Sequence, residues 1–466
     1  MRLLVAGLVA WLAVLPAPAL AQAPVAMEAE IVRDGDRWTA ELRFLRDAPA
    51  WVFVRSALTR EGERPWRPQS WTVETRGVRL ERRGRYDVLV ATNGGDVPRR
   101  VRVRFTPFTR DLIADYDPAL VFTDGSVALY SEQFDAFPFE SAAAAARLPI
   151  DLAATDVPLS RTRVTFRDDN GRVLHAGRRL ASVTIDDDDG SYILFGPLQP
   201  IVTDAMAAII DPALPAWIRA TLGRAVPDIL DRYTRALGPA PGPKPTIIAS
   251  WAGPTPGVTS MGGSVLPGIV TMAYEGSGVT QETPQARSYG LWFIAHETAH
   301  FWLGQAVRYQ YSREAWIYEG GADLIAFRTV AEVDPDYDWR GALNQSIADC
   351  AALASNRGIA SAEDRNEQRA YYACGAVFGL VAEAASRRPF IAFIRDLIDA
   401  NRTDRIINRA EWLAALDRVS GDRSLSRDIG ILLDRGAADP KATIAGLFRR
   451  AGVRFARGAD GLPRLL

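Results

Sequence analysis

Leu291-Trp292-Phe293-Ile294-Ala295-His296-Glu297-Thr298-Ala299-His300 sets two histidines four residues apart on a helical stretch. At 3.6 residues per turn such a pair lies ~40° apart in azimuth and one turn apart along the axis, so both imidazoles reach one ion from the same face. Glu297 follows the first histidine and points beside that face. This is the H-E-x-x-H arrangement of zinc sites, in which the glutamate is not a ligand but the base that acts on the attacking water. The whole chain holds three histidines, so chance placement at this spacing is rare.

Two imidazoles leave one protein position to fill, because a catalytic zinc site takes three protein ligands and keeps the fourth place open. Glu319 is the candidate. It stands nineteen residues after His300, in Glu314-Ala315-Trp316-Ile317-Tyr318-Glu319-Gly320-Gly321-Ala322-Asp323, with chain enough between them for a loop and an antiparallel return helix. Asp323, one turn after Glu319, can accept the other ring N–H of a ligating histidine and so fix its tautomer. The two cysteines, Cys350 and Cys374, are too few for a four-thiolate site. A helical hairpin would bring them together, and a disulfide and two buried thiols are both open readings.

The 466 residues amount to about three domains of ~150. Apolar residues at 48% and charged residues at 24% are ordinary globular values. The 55 basic and 56 acidic side chains cancel to −1, which leaves no global field to hold a polyanion, so no nucleic-acid partner is expected. Met1-Arg2, the apolar run Leu3 to Leu15 and Pro16-Ala17-Pro18-Ala19-Leu20-Ala21 fit a secretory signal peptide cleaved after Ala21. Thirteen apolar residues are too short for ~30 Å of hydrocarbon, and no other stretch approaches the ~20 that a membrane helix needs. The expectation is a periplasmic or secreted protein with no integral membrane segment in the mature chain.

From Glu28 to about Ile201 short runs such as Trp38 to Phe44, Ala50 to Val54, Val101 to Phe105 and Ser191 to Phe195 read as antiparallel β, with Asn93-Gly94-Gly95 and Asp169-Asn170-Gly171 as hairpin-type turns. Trp217 to Leu237 has helical spacing and stops at Gly238. Thr246 to Ser250 reads as a buried strand and Ser264 to Met272 as an edge strand, where Pro267 is tolerated. Beyond Gln285 the pattern is helical almost to the end. The expected class is multidomain α+β: a signal peptide over 1–21, an antiparallel β-rich N-terminal domain over 22–201, an α/β zinc domain over 202–335 and an α-helical C-terminal domain over 336–466.

His296-Glu297-Thr298-Ala299-His300-Phe301-Trp302-Leu303-Gly304, followed by Trp316-Ile317-Tyr318-Glu319-Gly320, resembles the gluzincin metallopeptidases of the aminopeptidase N and leukotriene hydrolase type, whose patterns are H-E-x-x-H-x-W-x-G and W-x-x-E-G. The resemblance implies a thermolysin-like catalytic domain, one Zn2+ per chain held by His296, His300 and Glu319, Glu297 as general base, and a peptide or protein substrate. Asp323, four residues after Glu319, is similar to the thermolysin arrangement in which an aspartate supports a histidine ligand. The family's oxyanion-binding tyrosine lies in a Y-x-K-G sequence; the matching stretch is Tyr371-Tyr372-Ala373-Cys374-Gly375, which makes Tyr372 the implied electrophile and Tyr371 its competitor, with Cys374 in place of the lysine.

Aminopeptidases of this family carry G-x-M-E-N, whose glutamate binds the free amine. The corresponding stretch here is Ser260-Met261-Gly262-Gly263-Ser264-Val265-Leu266, without an acid. A free ammonium would lose a charge-assisted hydrogen bond worth ~1.5 to 3 kcal/mol. Gly262 and Gly263, similar to those of the glycyl aminopeptidases, are candidate substrate-binding residues on an edge strand whose backbone pairs with an extended peptide. The implied function is an exported zinc metallopeptidase. Two other readings stay open: a catalytically idle zinc- and peptide-binding exported protein, and a zinc hydrolase acting on a non-peptide amide or an epoxide.

Overall fold

The computed structural model describes residues 24–466 except 114, 158–159, 187–189, 203–205 and 242–244; the segment 1–21, expected to be a signal peptide, lies outside the described residues. Among them no helix is long and apolar enough to cross a membrane.

The first half is β, as its alternating runs require. Arg100–Phe105 buries every second side chain, and its neighbours behave alike. Three sheets result. One has the order Ser182–Ile185, Arg161–Asp168, Val25–Asp34, Arg37–Phe44, Arg100–Phe105, Trp71–Val73; the second, Ala136–Phe139, Ala50–Phe53, Tyr86–Ala91, Val78–Arg83; the third, Arg178–Leu180, Val173–His175, Tyr192–Phe195, Val127–Tyr130, Ala119–Val121. Trp38, Trp51, Trp66, Trp71, Phe105 and Phe134 dominate the core between them.

Two sequence expectations need correction here. Val25–Asp34 runs parallel to Arg161–Asp168, so the half is largely but not wholly antiparallel. Asn93-Gly94-Gly95 and Asp169-Asn170-Gly171 do turn the chain, but each carries it from one sheet into another and closes no hairpin. Turn chemistry reports a local reversal and is blind to which ladder the next strand joins.

The second half opens with a five-stranded sheet in the order Ile201–Val202, Ala207–Ile210, Thr246–Trp251, Ile269–Glu275, Ser260–Leu266. Its inner ladders, Ala207–Ile210 with Thr246–Trp251 and that strand with Ile269–Glu275, are parallel, and Ser260–Leu266 closes the edge antiparallel. The single edge strand expected over Ser264 to Met272 is therefore two strands of a hairpin. Pro267 and Gly268, the latter at φ +70°, form its turn, and the true edge lies on the N-terminal side. Buried Gln305 holds this turn, its side-chain amide donating to Leu266 O at 2.5 Å and its oxygen accepting from Gly268 N.

Ala216–Leu237, Pro284–Ala299 and Ala315–Val333 come next, Pro284–Ala299 packing on the edge strand Ser260–Leu266 and on both other helices, and Trp339–Leu353, Arg369–Ser386, Phe390–Ala400, Arg409–Ser420, Arg423–Asp434 and Pro440–Ala451 follow. A small hairpin, Phe455–Arg457 with Pro463–Leu465, follows the last helix, beyond the reach of the helical pattern. One apolar cluster runs from Met206 through the sheet and helices to Ala451. Cys350 and Cys374 form a disulfide that joins Trp339–Leu353 to Arg369–Ser386.

The two halves meet across Leu120, Phe122, Tyr130 and Leu194 from one side and Ile209, Ile248, Leu266 and Ile269 from the other. Tyr116 donates its hydroxyl to Val265 O on the edge strand at 3.1 Å. Next to it, burial with Asp111 and Asp115 nearby pushes the Asp117 carboxyl up to about 7. Folded Asp117 thus keeps its proton to higher pH than the unfolded chain, whose aspartate titrates near ~3.9, so this contribution to stability is present below that pH and is lost as pH rises towards 7. Discounted for partial exposure, the loss is on the order of 2 kcal/mol. Chemical denaturation of wild type and Asp117→Asn between pH 4 and 7 checks this: the stability difference between them should drift by that amount, and a constant difference would refute it.

Candidate active site

Thr283 caps the helix Pro284–Ala299, its hydroxyl accepting from Ala286 N at 3.0 Å, and Pro284 fills the first position, where its missing N–H costs nothing. His296 lies in the last turn. His300 is the C-cap residue, still in the right-handed helical conformation, so the four-residue relation survives the helix end. The chain then reverses through Gly304 at φ +136°, a value that favours glycine. Trp302 is buried and donates its indole N–H to Gly238 O at 2.9 Å, which pins this reversal to the end of the helix Ala216–Leu237.

Ala315–Val333 returns antiparallel, since residue 296 meets 319 and 323 while Ser288 bonds Asp334 at 3.2 Å. Three ligand atoms converge. His296 Nε2 and His300 Nε2 lie 3.1 Å apart, and Glu319 Oε2 stands 3.4 Å from the first and 3.5 Å from the second. The outer face of each ring decides its tautomer. His296 Nδ1 donates to Asp323 Oδ1 at 3.0 Å, and His300 Nδ1 donates to the Leu303 carbonyl at 2.8 Å, both partners being acceptors. Each neutral ring consequently turns a bare Nε2 lone pair inward, towards the other and towards a carboxylate. Three acceptors without a shared proton repel one another unless a cation sits among them, and two nitrogens with one oxygen suit zinc. Among the described residues this is the one cluster of such groups compact enough to hold a metal, all its ligand atoms lying within 4.8 Å of one another.

The same charges set the proton affinities of these groups in the absence of metal. Burial opposes charge on His296, yet Asp323 and Glu319 outweigh it and raise the imidazole well above its usual value; His300 is raised against its burial chiefly by Glu319. Glu319 is held well below the carboxylate range, the two histidines overriding its burial. Protons would fill the place of the cation, which a divalent ion displaces.

Glu297 is 7% exposed and not among the converging ligand atoms. The edge strand comes right up to it: a Cβ built on Gly263 would stand 3.1 Å from the Glu297 carboxyl carbon and 2.7 Å from Phe293 Cζ, whereas one on Gly262 would meet open space. Only glycine lets the strand backbone lie this close to the carboxylate. The two adjacent tyrosines separate cleanly. Tyr371 is buried, its hydroxyl engaged with Glu363 N and Ala360 O. Tyr372 stacks on His296 with ring centroids 5.7 Å apart, and its hydroxyl reaches the Glu319 carboxylate. Burial, then Glu319 and Glu297, push this phenol up, which keeps its proton in place at neutral pH.

Two participants escaped the sequence reading. The Leu303 carbonyl is a backbone group with no signature of its own. Arg369 places Nη1 3.7 Å from Asp323 Oδ2, an atom without a hydrogen bond among the described residues, and bonds Asp349 at 2.8 Å. Its position one turn before Tyr372 was the available signal.

The architecture that carries this site is found among solved structures. An aminopeptidase N family protein from Idiomarina loihiensis superposes with a TM-score of 0.59 at 11% identity, over 90% of this chain and 78% of that one. The fold is that of the M1 zinc metallopeptidases. Leukotriene A4 hydrolase from Saccharomyces cerevisiae matches over 90% of this chain and 68% of its own, with a TM-score of 0.52 at 13% identity. An M1 zinc metallopeptidase from Deinococcus radiodurans matches over 89% and 94%, with a TM-score of 0.50 at 15% identity, and a variant of it was solved bound to a Tyr-Ser-Ala substrate. No family profile and no curated protein matches the sequence itself.

Asp323 is fully buried, and among the described residues it pairs with His296 and Arg369. Replacing it with asparagine leaves the shape and removes the charge that orients the ring. Asp323→Asn is expected to weaken zinc binding by about 10- to 100-fold, read by competition with a chromogenic chelator. Unchanged affinity would mean that His296 needs no such support.

Proposed function

We propose that the chain is an exported, zinc-dependent metallopeptidase with one Zn2+ held by His296, His300 and Glu319. The observation that carries this reading is the convergence of two histidine Nε2 atoms and a carboxylate oxygen on one point. When bound there, zinc supplies Lewis acidity for the scissile carbonyl and lowers the pKa of water towards ~7.

Glu297, beside the ligands but not one of them, takes the proton of the attacking water and passes it to the leaving amine. The Tyr372 hydroxyl donates to the oxyanion that develops on the carbonyl, in the manner of an oxyanion hole. Asp323 holds the His296 ring through Nδ1, and Leu303 does the same for His300. Ser260–Leu266 offers the outer edge of its sheet to an extended peptide, with Gly263 beside the base and Gly262 facing open space, both as substrate-binding residues. That strand bears no acid, which favours peptides whose amine is blocked or distant from the cleaved bond.

In this reading the β-rich half over 22–201 covers one side of the cleft, 202–335 carries the zinc, and 336–466 brings Tyr372. The basic and acidic totals cancel, so no nucleic-acid partner is proposed. Export rests on the N-terminal sequence pattern.

The test is zinc quantification on purified protein together with a peptide-library digest that compares N-blocked with free-amine substrates. Zinc near one equivalent with cleavage of blocked peptides supports the proposal. A preparation that retains zinc and cleaves no peptide would favour the idle binding protein instead.

A further inference from the structure

The helix that carries Tyr372 is gripped from two sides. Towards the zinc-ligand helix, Gly375 and Gly320 bring the two backbones into contact: a Cβ on Gly320 would lie 2.2 Å from Gly375 Cα, and one on Gly375 would lie 2.0 Å from Trp316 O and 2.8 Å from Gly320 Cα. Gly320 directly follows Glu319, and Gly375 follows Tyr372 by three residues, about 60° round the helix. The crossing therefore sets how far the phenol stands from the carboxylate that its hydroxyl reaches. Behind it, Cys374 lies ~200° from Tyr372 round the helix and is bonded to Cys350 on Trp339–Leu353. Both sulfurs belong to fully buried residues.

Resting on the reading of Tyr372 given above, we propose that the Gly320–Gly375 contact and the Cys350–Cys374 disulfide act together as a clamp that positions the Tyr372 hydroxyl over the metal site. The glycines fix the approach on one side, and the disulfide fixes the distance and rotation of Arg369–Ser386 relative to Trp339–Leu353 on the other. These four are positioning residues, since they act through Tyr372 and touch no substrate. Oxyanion donors lose effect steeply with misplacement, so a shift of about 1 Å in the phenol is enough to matter for turnover while ground-state peptide binding on the edge strand is left alone.

The experiment is a double-mutant cycle on the zinc-loaded full chain. Cys350→Ala/Cys374→Ala and, separately, Gly375→Ala are made in the native protein and in Tyr372→Phe, and kcat, KM, bound zinc and the unfolding midpoint are measured well below that midpoint. In the native background each change is expected to lower kcat by about tenfold or more, with KM within about threefold and zinc retained. In the Tyr372→Phe background the same changes should alter kcat by less than about twofold, because the group they position is gone. Equal losses in both backgrounds, or no loss in the native one, overturn the clamp. If Gly375→Ala does not fold, the disulfide pair alone decides. A Tyr372→Phe enzyme with undiminished kcat removes the electrophile reading and the clamp with it, an outcome distinct from equal losses beside a damaged Tyr372→Phe.

Discussion

Glu297→Gln is expected to lower kcat by about 10²- to 10⁴-fold while zinc content and KM stay close to those of the native protein. The amide keeps the shape of the side chain and its contact with the edge strand at Gly263, so the site should assemble normally. What it loses is the capacity to accept a proton. Burial raises the Glu297 carboxyl, against the opposing pull of His296 and His300, and in the proposed mechanism this group takes a proton from water and releases it to an amine. Steady-state kinetics on a peptide that the native enzyme cleaves, with metal analysis on the same sample, checks this. Full retention of activity would assign the base elsewhere.

Removal of the metal should be total in its effect on turnover and visible in stability. A chelator is expected to abolish peptide hydrolysis and lower the unfolding midpoint, and added zinc to restore both, since an ion that binds only the folded chain stabilises it by RT ln(1 + [L]/Kd), about 4 kcal/mol at a thousandfold excess over Kd. Glu319→Gln should remove this response. It deletes the anionic ligand between His296 and His300, and zinc should no longer shift the midpoint at concentrations that saturate the native protein. A midpoint indifferent to chelator in the native chain would mean that these three side chains hold no ion.

The candidate site was legible in the sequence to the extent that one helix could express it. His296, Glu297 and His300 lie within five residues, and the helical repeat alone fixes their relative directions. Glu319 and Asp323 followed from the chemistry of a ligand set that lacked its carboxylate and its outer hydrogen bond, and their contacts in the fold, at 3.4 and 3.0 Å from His296, agree with the spacing. The choice between Tyr371 and Tyr372 was different in kind. Neighbours on a helix point ~100° apart, and only the packing of Arg369–Ser386 against Ala315–Val333 turns the second one to His296 and leaves the first with Ala360 and Glu363.

The same division runs through the fold. Strand and helix periods and the stop at Gly238 could be read locally, whereas the parallel pairing of Val25–Asp34 with Arg161–Asp168, the change of sheet after Asn93-Gly94-Gly95 and the hairpin at Pro267-Gly268 could not. The disulfide belongs with these. Cys350 and Cys374 were close in sequence, but which face of each helix they occupied depended on how the two helices packed. By itself the sequence determined most element types and the relative directions of His296, Glu297 and His300, because backbone geometry within a few residues dictates them. The tertiary structure alone decided which sheet each strand joins, which tyrosine meets the metal site and which carbonyl holds His300, because those outcomes depend on burial between segments far apart in the chain.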